Sequence, residues 1–137
     1  MSVRNDTLRF PFGNESSTNH YYQAAIAGSG VNASANGFVV IRIGQSTDSN
    51  NPSGADQNLR VIVQDTNGSS AAFTASALSR LLYPDTWNVK MVMQTLRVPL
   101  SLLRLHGLNA AAISTVKLAF DQVGAGTVYF DELQVSN

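Results

Sequence analysis

Apolar residues in this chain recur at every second position in one segment after another. That period belongs to β-strands with one buried face. Residues 7–12, TLRFPF, put Leu8, Phe10 and Phe12 on one face, and Pro11, lacking an amide proton, marks an edge or bulged strand. Residues 21–27, YYQAAIA, predict a second strand, and GSGVNASANG a loop. Residues 38–45, FVVIRIGQ, are apolar on both faces through Ile43, as a central strand is. Leu59, Val61 and Val63 alternate over 59–65, TNGS signals a hairpin through Asn67 and Gly68, and 71–78 pairs back. After a long connection, 93–100 carries Leu96, Val98 and Leu100 on one face. Residues 114–121 point Val116, Leu118 and Phe120 inward, with Lys117 and Asp121 outward, and 126–135 is the last strand.

Only SLLRLHGLNAAAIS has helical character, with Asn109 placed to cap AAAI. Nothing is long enough for a βαβ crossover. There is no repeat and no linker, so the whole of 1–137 is predicted to be a single all-β domain. About eight strands at this turn spacing imply an antiparallel, two-sheet β-sandwich, specifically a jelly roll.

The charge balance excludes several functions. Nine basic residues meet nine acidic ones, giving no net field to attract nucleic acid or an anionic membrane. No apolar run reaches the ~18 residues of a helical membrane span. The absence of cysteine removes disulfides, thiol nucleophiles and cysteine-ligated zinc. The polar residues are Asn, Ser, Thr and Gly more than Lys and Glu, which points to a secreted, extracellular protein. Met1 begins the chain without the basic and apolar regions of a signal peptide, which suggests a piece or tail of a longer chain.

The last strand, GTVYFDELQVSN, changes parity. Val128 and Phe130 share one face, Leu133 and Val135 the other, and Asp131 and Glu132 lie between. Either both faces are partly buried, or a β-bulge at the two acids restores the parity and re-aims a carboxylate. Such a carboxylate suits a hard cation such as calcium. It equally suits an aggregation-resistant charged edge or a salt bridge to an arginine.

Three stretches, VVIRIGQSTDSNNPSGADQNLRVIVQDTNG, VMQTLRVPLSLL and ISTVKLAFDQVGAGTVYFDELQV, together resemble the galactose-binding-like jelly rolls that include many carbohydrate-binding modules. The resemblance covers roughly 38–137. It implies the fold strongly and a ligand weakly, because this fold hosts many ligands. It implies an accessory domain of a secreted bacterial hydrolase and a structural calcium ion. Asp131 matches the family's metal ligand on the final strand, and Asn5 and Asp6 are nearby candidates at the N-terminus.

Sugar-binding modules stack aromatic rings on pyranose faces and bond the hydroxyls with planar polar groups. Trp87 and Tyr83 in the long connection, with Asp85 between them, are candidate contacts. Tyr21 and Tyr22 point to opposite faces of one strand, so at most one is available, and Tyr22 is assigned to the ligand. The loop 46–56 is rich in oxygen donors, but Pro52 and a missing glutamate break the EF-hand pattern. His20 and His106 share no motif, and neither a Gly-x-Ser-x-Gly elbow nor a Gly-rich phosphate loop is present. The expectation is a non-catalytic module, with polysaccharide and a parent catalytic domain as partners. The alternative is a structural C-terminal domain that anchors a hydrolase or peptidase without binding glycan.

Overall fold

The computed structural model describes residues 8–12, 21–25, 30, 32–34, 37–45, 58–78, 93–122 and 125–136. Eight strands appear in the order β1 (Leu8–Phe12), β2 (Tyr21–Ala25), β3 (Phe38–Gln45), β4 (Arg60–Asp65), β5 (Ser70–Thr74), β6 (Gln94–Pro99), β7 (Ile113–Ala119) and β8 (Gly126–Ser136). Two short helices, α1 (Ala75–Leu78) and α2 (Leu100–Leu105), flank β6. The strands pair antiparallel as first with last: β1 with β8, β2 with β7, β3 with β6 and β4 with β5. Wrapping that long hairpin over itself adds the contacts of β3 with β8 and of β4 with β7. The result is two four-stranded sheets, β1-β8-β3-β6 and β2-β7-β4-β5, facing each other as a jelly roll. The proline-bearing β1 is at the edge of the first sheet, where a missing amide proton breaks no ladder.

The alternating residues fill the space between the sheets. Val39, Ile41, Ile43, Leu96, Val98, Val128 and Phe130 face Val61, Val63, Val116 and Leu118 in one buried cluster. Leu100 and Leu103 of α2, with Leu108 and Ile113, close one end of it. The helix stops in a Schellman turn. The Gly107 N–H donates to the Arg104 carbonyl (3.0 Å) and the Leu108 N–H to that of Leu103 (3.2 Å). Gly107 takes φ +86°, where a side chain would be strained.

Two local expectations change. The strand expected over 71–78 ends at Thr74, and Ala75–Leu78 forms a helical turn. Ala75 is buried and donates its N–H to the Leu59 carbonyl (2.8 Å), while the Asn58 carboxamide oxygen accepts from the Ser76 N–H (3.1 Å). These bonds curl the chain off the ladder. Asn109 caps a turn rather than a helix. Its side-chain oxygen accepts from the Ala111 N–H (3.0 Å) and its carbonyl from the Ala112 N–H (3.1 Å), before Ile113 enters β7.

The parity change in β8 is a bulge. Arg42 is opposite Asp131 and Ile41 opposite Leu133, so Glu132 is skipped in the register. Two residues of β8 against one of β3 bring Leu133 and Val135 back against the core. A second shift skips Ser114, between Gln64 opposite Thr115 and Asp65 opposite Ile113.

Candidate functional site

The outward faces of β2, β7, β4 and β5 form a platform. The register sets three rows across it: Tyr21–Ala119–Arg60–Thr74, Gln23–Lys117–Ile62–Ala72 and Ala25–Thr115–Gln64–Ser70. Alternation puts the described side chains of these rows outside because Tyr22, Val61, Val63, Val116 and Leu118, their neighbours in sequence, fill the inside. Tyr21 is 49% exposed, and Gln23 and Gln64 are exposed beside the half-buried Ile62. Tyr21 and Arg60 flank the small Ala119 at two strand spacings, about 10 Å apart across the sheet.

The charges on this platform are ordered. The Arg60 Nε donates to both Asp121 carboxylate oxygens (3.1 and 2.9 Å), and its Nη2 bonds the same group. Gln122 Nε2 adds a bond to Asp121 (2.9 Å). These bonds, Arg60 first, hold the Asp121 carboxyl below its ordinary range against the opposing effect of burial, and they raise Arg60. The Lys117 ammonium is 3.9 Å from the centre of the Tyr21 ring, within cation–π range. A flat ring, two carboxamides, a fixed guanidinium–carboxylate pair and an apolar floor on a rigid sheet can stack on a ring-shaped ligand and bond its hydroxyls.

Tyr22, the tyrosine assigned to a ligand from sequence, is turned into the sandwich. Its ring centre is 4.6 Å from that of Phe130, and it packs on the core. Tyr21 is therefore the ring that this strand offers outside. Trp87, Tyr83 and Asp85 lie outside the described residues, as do Asn5, Asp6, His20 and the oxygen-rich loop 46–56. Asp131 is half-buried in the bulge, opposite Arg42 in the register. Among the described residues no three His, Cys, Asp or Glu side chains gather as a metal site. His106 is exposed and stands edge-on to Phe73 at 5.3 Å. The outward parity of Lys117 and Asp121 was readable in sequence. Their meeting with Tyr21 and Arg60 depends on strand pairing.

The opposite outer face, that of β1-β8-β3-β6, has exposed Arg42 and Arg97, with the Arg97 guanidinium carbon 5.8 Å from the Phe38 ring centre.

One buried carboxylate belongs to the fold instead. Asp65 is 3% exposed at the β4–β5 hairpin. Its Oδ1 accepts from the N–H groups of Asn67 (2.9 Å) and Ser69 (3.0 Å), and its Oδ2 from that of Asn109 (3.0 Å). These bonds, Asn109 first, lower its pKa despite burial.

No protein-family model matches this sequence, and neither does any curated protein. Among solved structures, a family 11 carbohydrate-binding module from Clostridium thermocellum, in complex with a β-1,3-1,4-mixed-linked tetrasaccharide, is similar at TM-score 0.47 and 11% identity, over 94% of this chain and 88% of that one. A family 30 carbohydrate-binding module superposes at TM-score 0.63 and 14% identity, over 95% of this chain. This chain spans 66% of the length of that module. The fold, an antiparallel two-sheet jelly roll, is thus one that it shares with a carbohydrate-binding module.

Proposed function

We propose that this domain is a non-catalytic carbohydrate-binding module and that the outer face of β2-β7-β4-β5 is its binding surface. The observation that carries the reading is Tyr21. A large ring, 49% exposed, lies on a sheet face among Gln23, Gln64 and the Arg60–Asp121 pair. Tyr21 would stack on the apolar face of a pyranose, with the amides and the ion pair bonding its hydroxyls. The shared jelly roll supports the reading at the level of fold. Trp87 and Tyr83, with Asp85, are proposed as further contacts from the long connection. Joined to a secreted bacterial hydrolase, such a module would hold the enzyme against its polysaccharide.

Affinity electrophoresis tests this. In gels containing mixed-linked β-glucan, other neutral glucans or polyuronate, at least one polysaccharide should retard the wild type, and Tyr21→Ala should run as in a plain gel. Stacking on one ring is worth about 1–3 kcal/mol, roughly five- to 150-fold in affinity. Retardation by none of them, or equal retardation of the variant, overturns the assignment of this face. A Trp87→Ala arm in the same gels measures the share of the connection.

Calcium is proposed at Asp131, with Asn5 and Asp6 as the candidate partners. The bulge supports it only by interrupting the ladder next to Asp131, at Glu132, while Asp131 itself stays opposite Arg42. Asp131 is the one described member of that set, and the ion would pin the end strands, with no chemical role. A ligand bound to the native state alone stabilises by mass action. The melting temperature should therefore rise by several degrees on adding millimolar calcium to chelator-treated protein. An unchanged melt removes the metal.

A further inference from the structure

The Lys117 ammonium covers one face of the Tyr21 ring. At 3.9 Å from the Tyr21 ring centre it is at stacking distance. Lys117 projects from β7, diagonal to Tyr21 on β2, since Tyr21 is opposite Ala119 and Lys117 opposite Gln23. Lys117 as a whole is half-buried. Among the described residues, the carboxylate at this platform, Asp121, is already taken by Arg60 through three bonds. Among the described residues of the platform, Lys117 is thus the cation left without a carboxylate, and these residues together carry one uncompensated positive charge.

A neutral pyranose that stacks there must push the ammonium off the ring and offers it only hydroxyls in exchange. A hexuronate differs at one position. Its carboxylate projects from the rim of the sugar ring, roughly in the ring plane. An ammonium moved aside from the Tyr21 face meets that group at the edge of the stack. The same displacement frees the aromatic face and forms a charge-assisted bond. Asp121 does not oppose the ligand, because Arg60 neutralises it.

Resting on the reading of this face as a glycan site, we infer that it selects carboxylated sugars, with Lys117 pairing the carboxylate over a sugar stacked on Tyr21. The site is then a specificity device for acidic polysaccharide of the hexuronan class, and its aromatic surface is capped by its own cation until such a ligand arrives.

Short oligogalacturonates and their methyl esters differ in charge at an otherwise common backbone, and calorimetry at low salt can compare them. The acid should bind about five-fold more tightly than the ester, the scale of one exposed ion pair. Lys117→Met, which retains the stem, should bring the acid down to the ester, and Lys117→Arg should keep the preference. Raising sodium chloride to ~0.5 M should shrink it, since charges at the surface are then screened within a few ångströms. Equal affinity of acid and ester in the wild type, or a preference that survives Lys117→Met in a variant with wild-type circular dichroism, overturns the inference. A neutral β-glucan arm separates the two readings. Binding of β-glucan that Tyr21→Ala abolishes, with no preference for the acid, sinks the acidic specificity and leaves the face standing. No binding to any of the three sinks both.

Discussion

Asp65 and Asp121 are both held below the ordinary carboxylate value of 3.8, but by partners of different kinds. Asp65 is 3% exposed, and its bonds come from backbone N–H groups that cannot move without unmaking the β4–β5 turn or the turn after α2. Asp121 is at the surface, and its bonds come from the side chains of Arg60 and Gln122. The first carboxylate ties two loops at one end of the sandwich. The second fixes a guanidinium on an open sheet face and leaves it able to meet a ligand. An acidic group in a sandwich therefore takes its role from whether its donors are part of the chain path or can be traded for a ligand.

The sharpest way to break this comparison is Asp65→Asn. The amide keeps one acceptor oxygen for Asn67 and Ser69 but turns an N–H₂ toward the Asn109 N–H, opposing donor to donor. Thermal melts at pH 7 should show the largest loss of melting temperature among changes that spare the apolar core. Glycan binding by the folded variant should stay intact. The pH dependence follows from the sign of the shift. The folded-state pKa lies below the unfolded value, so the contribution is complete above about pH 4. It is lost as pH falls through the lower folded value. The gap in melting temperature between wild type and variant should begin to narrow below about pH 4 and close below the folded-state value. A gap that persists into strong acid would mean that the carboxylate charge is not what joins the loops.

The same contrast explains what could be read in the sequence. Most strand positions and, among the described side chains, the inward set were legible, because each depends on a local period-two pattern. The bulge was legible as a change of parity at Asp131 and Glu132, though its alternatives were separated only by the pairing of Arg42 with Asp131. Tyr21 and Tyr22 show where local pattern stops. Alternation places them on opposite faces, but which one is outside depends on β2 meeting β7 with Tyr22 opposite Leu118. A one-residue slip would exchange them. Asp65 was invisible for a related reason. In sequence it ends a strand before a turn, and its donor Asn109 is 44 residues away. The platform residues at 21, 60, 117 and 121 likewise meet only after β2, β7 and β4 have paired.

Asp121→Asn should have the smaller effect and so sharpen the comparison from the other side. The Arg60 side chain is 40% exposed, and solvent screens the pair. Its loss should cost about 0.5 kcal/mol, and near-ambient differences of that size move the melting temperature by about 2 °C in a domain of this length. The sign of the pH dependence matches that of Asp65, since this pKa is lowered too. Salt separates the two. At ~1 M sodium chloride the screening length falls to about 3 Å. The gap between wild type and Asp121→Asn should then close, while that for Asp65→Asn remains, because buried bonds to backbone dipoles are screened far less. Melts of both variants at low and high salt check this directly. An Asp121→Asn loss as large as that of Asp65→Asn, and equally indifferent to salt, would make the Arg60 pair a part of the scaffold. The platform would then lose the feature that supports it as the proposed glycan surface: a polar face whose groups are held in place without holding up the fold.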